Sequence, residues 1–208
     1  MNLPPPQNNY GLAFRIATDA LRNADLDEVC RRSGAAYRPE DSVIEVPFLK
    51  YICRILLPQW TFLEPDLSLP EQVLVLHYLL HASGTPLKGR WISFSEVPGG
   101  ATYFPAFRSR SIEPFLRHFS GAGRRLIEAA RALGGEEFGY GDVGVVFRAF
   151  PRVKVAFVLW EGDEEVPPNA NVLFDETVSD YLSTEDISEL SWRLVHRMIR
   201  TSRNGGKL

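Results

Sequence analysis

The sequence predicts an α+β protein, a mostly antiparallel sheet covered by helices and folded as a single domain. Three observations carry that expectation. Apolar residues recur at helical spacing in several stretches, most clearly over residues 68–83. Two adjacent runs, Val143–Phe150 and Val153–Trp160, are rich in Val, Ala and Phe and meet at Pro151, as paired strands do. Helical and strand-like stretches alternate too irregularly for a doubly wound parallel sheet. A chain of 208 residues fits one domain over 1–208, with 1–8 and 202–208 expected to be loose.

The elements follow in order. Pro4 to Pro6 stiffen the leader, and from Asn9 the residues Tyr10, Phe14, Ala17, Leu21 and Ala24 mark a helical face. A short second helix is capped by Asp25 or Asp27 and closed by Gly34. Residues 43–57 read as two strands or a bent hairpin interrupted by Pro47 and Lys50. Over 68–83, Ser68 and Glu71 form a capping box with Pro70 in the first turn. The run 73–80 is apolar nearly all round, so this helix should be buried. Residues 91–94 suggest a short strand, and Pro98, Gly99 and Gly100 a turn. Residues 111–119 and 122–133 suggest two helices. After the two strong strands, Gly162 opens an acidic loop, 171–174 suggest another strand, and 184–202 a last helix capped by Ser183 or Thr184.

Composition excludes several functions. There are two cysteines, Cys30 and Cys53, so this chain alone cannot ligate an iron–sulfur cluster or a four-cysteine zinc. No apolar run approaches the roughly 20 residues that span a bilayer, and the start lacks the basic and apolar regions of a signal peptide. The expectation is a cytoplasmic protein without membrane contact. Net charge is −3, and without a basic excess nucleic-acid binding is not expected. Charge is segregated, however. Residues 161–186 hold nine acids and no Lys or Arg, between net basic stretches at 105–160 and 187–208.

Three constellations could carry chemistry. His77 and His81 share a helix face, as metal ligands do, but Tyr78 stands where a zinc protease helix needs glutamate. In the acidic block, Asp163, Glu164 and Glu165 follow one strand and Asp175 and Glu176 the next. If the strands are neighbours the carboxylates could converge, to bind a hard cation or to act as acid and base. Asp163, Glu165 and Asp175 are the candidate metal ligands and, with Glu96, the candidate catalytic groups. Solvated turns and helix-capping carboxylates are the competing explanation. The third is the stretch 91–110. Gly99 and Gly100 would let backbone approach a ligand. Arg108 and Arg110 would hold a carboxylate or phosphate. Trp91 and Tyr103, with Trp160, would supply apolar contact. Neither a phosphate-binding glycine loop nor a nucleophile elbow is present.

The string from Leu76 to Leu80 and that from Gly89 to Gly100 resemble an uncharacterised prokaryotic family known only as a domain of unknown function. So do Ala106-Phe-Arg, Leu133-Gly-Gly, Phe150-Pro-Arg, the run from Trp160 to Glu165, Leu173-Phe-Asp and the run from Tyr181 to Asp186. The resemblance covers nearly the whole chain. It implies relatives joined to a cysteine-ligated iron–sulfur motif, which this chain lacks, so any cluster would belong to a partner such as an iron–sulfur or redox protein. It supplies no catalytic residues. Taken together, the leading expectation is a non-enzymatic ligand-binding or accessory domain of redox or cofactor metabolism. Its cleft would lie between 91–110 and 163–186 and take a small anionic ligand. The alternatives are a carboxylate-dependent, metal-assisted enzyme and a protein-interaction module.

Overall fold

The computed structural model describes residues 9–204, so the leader 1–8 and the last four residues lie outside the described part. The fold is α+β with two antiparallel sheets. The chain separates into two compact units. One holds the residues up to Pro86 together with Phe150–Arg152 and Asp180–Leu182. The other holds Leu87–Ala149, Val153–Ser179 and the chain from Ser183 onward.

In the first unit, helices α1 (Tyr10–Arg22) and α2 (Leu26–Ser33) precede a four-stranded meander. Its strands are β1 (Ala36–Arg38), β2 (Val43–Phe48), β3 (Tyr51–Leu56) and β4 (Thr61–Glu64), and helix α3 (Leu69–His81) follows. Asp25, not Asp27, caps α2, accepting from the N–H groups of Asp27 and Glu28. The capping box of α3 forms as expected, and the helix is buried on nearly all sides. Pro47 lies inside β2 opposite Ile52 and does not interrupt it. Phe48 and Tyr51 close a two-residue turn, so Pro47 sits at a non-bonded pair, its missing N–H aimed away from β3. β1 pairs only as far as Glu45, so no ladder bond is lost there. At the centre of this unit Tyr78 stacks on Phe150, donates to the Ser33 carbonyl and accepts from the Arg152 N–H at 3.2 Å. Burial pushes its phenol pKa well up, so it stays a neutral hydrogen-bonding bolt.

The second unit is a five-stranded sheet. In chain order its strands are β5 (Trp91–Ser93), β6 (Glu136–Glu137), β7 (Val143–Phe150), β8 (Val153–Trp160) and β9 (Asn169–Asp175). Across the sheet they run β5-β9-β8-β7-β6. Its helices are α4 (Gly100–Phe107), α5 (Glu113–Phe119), α6 (Gly123–Ala132) and α7 (Thr184–Arg203), with a π turn, Arg108–Ile112, joining α4 to α5. The strands alternate faces. Phe147, Phe157 and Phe174 point to the helices, where Phe115 lies against Phe157 and Phe94 and Phe107 against Phe174. The opposite face carries smaller residues, Gly144, Ala156, Val158 and Leu173. Helix α7 runs to Arg203, and Ser202 is engaged by His118.

Helix α4 is where the structure departs from the glycine turn expected at 98–100. The turn is real, with Gly99 at φ +73°, but Gly100 begins a helix. A Cβ at Gly100 would lie 1.9 Å from the Phe94 carbonyl oxygen, so this glycine serves close backbone packing. Spacing did not reveal the helix because Pro105 interrupts its pattern and the π turn shifts its phase.

Candidate functional site

The expected cleft divides into two places. Strands β8 and β9 are indeed neighbours, but antiparallel, with Trp160 opposite Asn169 and Val155 opposite Phe174. Residues that follow β8 and residues that follow β9 therefore lie at opposite ends of the sheet, separated by β9 itself, roughly 20 Å for seven residues. Asp163 and Glu165 are at one end and Asp175 at the other, so the carboxylates proposed as ligands or as an acid–base set do not converge. Chain order alone could not give strand direction.

At the β9 end, Trp91 stands directly opposite Asp175, so part of the glycine- and arginine-rich stretch does meet part of the acidic block. The meeting is saturated. The buried Asp175 carboxylate accepts from Gly89 N–H (2.7 Å), Thr177 Oγ1 (2.8 Å), Thr177 N–H (3.2 Å) and Lys88 N–H (3.2 Å). Burial would raise its pKa. The hydrogen bonds from Thr177, Gly89 and Lys88 outweigh that and hold it below the ordinary range. Glu176 pairs with Lys88 and Arg90. Glu96 accepts from the Ser93 N–H and hydroxyl, both at 2.7 Å. That capping box keeps its pKa low. Thr184 donates to the Pro98 carbonyl at 2.5 Å, fastening α7 beside the Gly99 turn.

The remaining candidates are dispersed. Arg108 is exposed and lies 3.5 Å from Glu113. Arg110 is half-buried in the π turn, and Tyr103 is exposed on α4. In the loop after β8, Asp163 accepts from the Glu165 and Val166 N–H groups, both at 2.8 Å, a turn-forming role that lowers its pKa. Among the described residues no group of three or more His, Cys, Asp or Glu is placed to hold a metal ion. His77 and His81 have ring centroids 5.7 Å apart on α3.

A different constellation is assembled on the face of the five-stranded sheet opposite the helices. Buried Ala156, Val158 and Leu173 make its floor, and Trp91, Phe138, Val146 and Trp160, all half-buried, pack on them. Trp91 lies on one edge strand and Phe138 just beyond the other, yet their rings are 4.9 Å apart. The floor must be small for the rings to meet across it. Tyr140 stacks on Phe138 at 5.7 Å and remains 54% exposed. Residues 138–142 form a strap along this face, held by Phe138 N–H to the Gly144 carbonyl (2.9 Å) and Asp142 N–H to the Leu159 carbonyl (3.0 Å). Gly144 is required there, since a Cβ would come within 2.3 Å of the Phe138 carbonyl oxygen. Trp91 and Trp160 belong to the expected site. Phe138, Tyr140 and the strap were not foreseen. The glycines at 139, 141 and 144 around two aromatic residues were the available signal, since repeated glycine permits backbone to lie on a sheet.

The fold and this face define an α+β protein with an aromatic-clad sheet and structurally committed carboxylates. Residues 25–197 match the family described as Domain of unknown function (DUF3786), and the chain belongs to that family. Comparison with curated proteins and with solved structures finds no match. Among the described residues no helix is long and apolar enough to cross a membrane.

Proposed function

We propose that this protein is a non-enzymatic binding module, an accessory in redox or cofactor-related metabolism of the prokaryotic cytoplasm, working through the aromatic face of its five-stranded sheet. The observation that carries this reading is the half-exposed set Trp91, Phe138, Tyr140 and Trp160 on a buried floor of small side chains. Aromatic surface left in contact with water is a common mark of a binding site. The carboxylates considered for catalysis are in part spoken for. Asp175, Glu96 and Asp163 each terminate or cap local backbone. Both cysteines are buried in the first unit, and burial pushes the Cys30 thiol up to about 11. In this reading any iron–sulfur cluster belongs to a partner.

The reading is tested by titrating the full chain with flavin mononucleotide and with nicotinamide adenine dinucleotide while following tryptophan fluorescence and melting temperature. The expected result is saturable quenching with thermal stabilisation, both reduced in Trp91→Ala and Trp160→Ala. Quenching that survives unchanged in both variants would place binding elsewhere and overturn the reading of this face.

A further inference from the structure

The aromatic face is not electrically uniform along its strands. Its cations, Arg148 and Lys154, lie near the β7–β8 turn, and Lys154 is six residues, roughly 20 Å of strand, from Trp160. Within five residues of Trp160 and of Tyr140 the chain carries acids and no Lys or Arg. Asp142, Asp163, Glu164 and Glu165 sit there, and the strap is tied to the end of β8 because the Glu161 N–H donates to Asp142 Oδ2 at 2.9 Å. The Glu161 carboxylate itself turns to the helix side, where it accepts from the Gly121 N–H at 2.6 Å. Among the described residues none of these four forms an ion pair within 4.0 Å. On α6 and just after it, Arg124 pairs with Glu128, and Arg131 with Glu137. The chain has no Lys or Arg from 155 to 192 or from 132 to 147.

Apolar surface accompanies this charge. Tyr140 is 54% exposed and Val166 59% exposed. Every residue from Gly162 to Asn169 is exposed. An open aromatic surface edged by carboxylates suits a polypeptide whose guanidinium or ammonium groups meet the acids while their planes or stems lie on Tyr140 and Trp160.

We propose that the Trp160–Tyr140 end of this sheet face docks an arginine- or lysine-bearing segment of a partner protein. The proposal rests on the face being a binding surface, as argued above, and names its occupant. Docking leans on the aromatic face for specificity and on the carboxylates for attraction, so it weakens as salt rises.

The experiment uses the full chain and isothermal titration with a synthetic peptide of alternating arginine and leucine. The same peptide with glutamate in place of arginine, and tetramethylammonium chloride, serve as comparators. The expected result is a one-to-one complex with the arginine peptide alone. Affinity falls roughly tenfold or more in Tyr140→Ala and in the double variant Glu164→Gln, Glu165→Gln, and is kept in Glu40→Gln, an exposed acid of the first unit. Equal affinity for those variants, or no arginine-peptide binding, overturns the proposal, as does equal binding of tetramethylammonium. Loss of peptide binding alongside intact flavin quenching that depends on Trp91 would remove only the occupant. Failure of both would remove the face itself.

Discussion

At the scale of single residues, the acids of this protein divide between those used up by backbone and those left to solvent. Asp175 is the clearest of the first kind, 1% exposed and holding three N–H groups and a hydroxyl. Asp175→Asn turns an amide donor toward these donors. The expected loss is about 2 kcal/mol or more, read as a lower urea midpoint. Its depressed pKa also has a sign. The unfolded chain binds the proton first, so the contribution is whole above the ordinary value of 3.8 and disappears as pH falls through the lower folded value. The acid limb of the stability curve of Asp175→Asn should therefore be flatter than that of the parent. Ser111 is the opposite case, a fully buried hydroxyl in the π turn with no hydrogen-bond partner among the described residues. Ser111→Ala is expected to leave the melting temperature unchanged or raise it, by up to about 1 kcal/mol of stability, because it removes an unmet polar group.

At the scale of elements, the strap 138–142 does most to create the candidate site. It lies on the sheet only because Gly144 presents no side chain to it. Gly144→Ala is expected to cost about 2 kcal/mol and lift the strap. The parting of Phe138 from Trp91 would be visible as a red shift of tryptophan emission without loss of far-ultraviolet ellipticity. Helix α3 illustrates the reverse relation, in which local signals suffice. Its capping box and apolar run are legible from Ser68 to Leu80, and the structure buries it accordingly. Helix α4 was not legible, since Pro105 interrupts its spacing and the π turn shifts its phase.

At the scale of the whole molecule, stability should depend on pH through two histidines as well as through the acids. His118 bonds Ser202 Oγ at 2.6 Å, joining α5 to the last turn of α7. Burial, with Arg203 and Arg125 nearby, lowers its pKa, and burial lowers that of His196. The unfolded chain takes up these protons first, so the contribution is present above the ordinary value of 6.5 and is lost as pH falls through the folded values. Denaturation midpoints measured across this range should decline on acidification, and His118→Gln should decline less. A second expectation concerns the chain's cysteines. Anaerobic incubation with iron and sulfide should yield no cluster absorbance from this chain alone, because its two thiols are too few and both buried.

The sequence by itself determined the fold class and the positions of α3, β7 and β8. Each of these depends on composition or on periods of two and 3.6 residues, which are local quantities. Only the tertiary structure decided which candidate residues meet. Trp91 opposes Asp175 through β-pairing across more than eighty residues of chain, and Asp163 is parted from Asp175 because β8 and β9 run antiparallel. Strand direction, edge order and the return of a strap over a sheet arise from long-range pairing, and that is why the aromatic face is legible only in the fold.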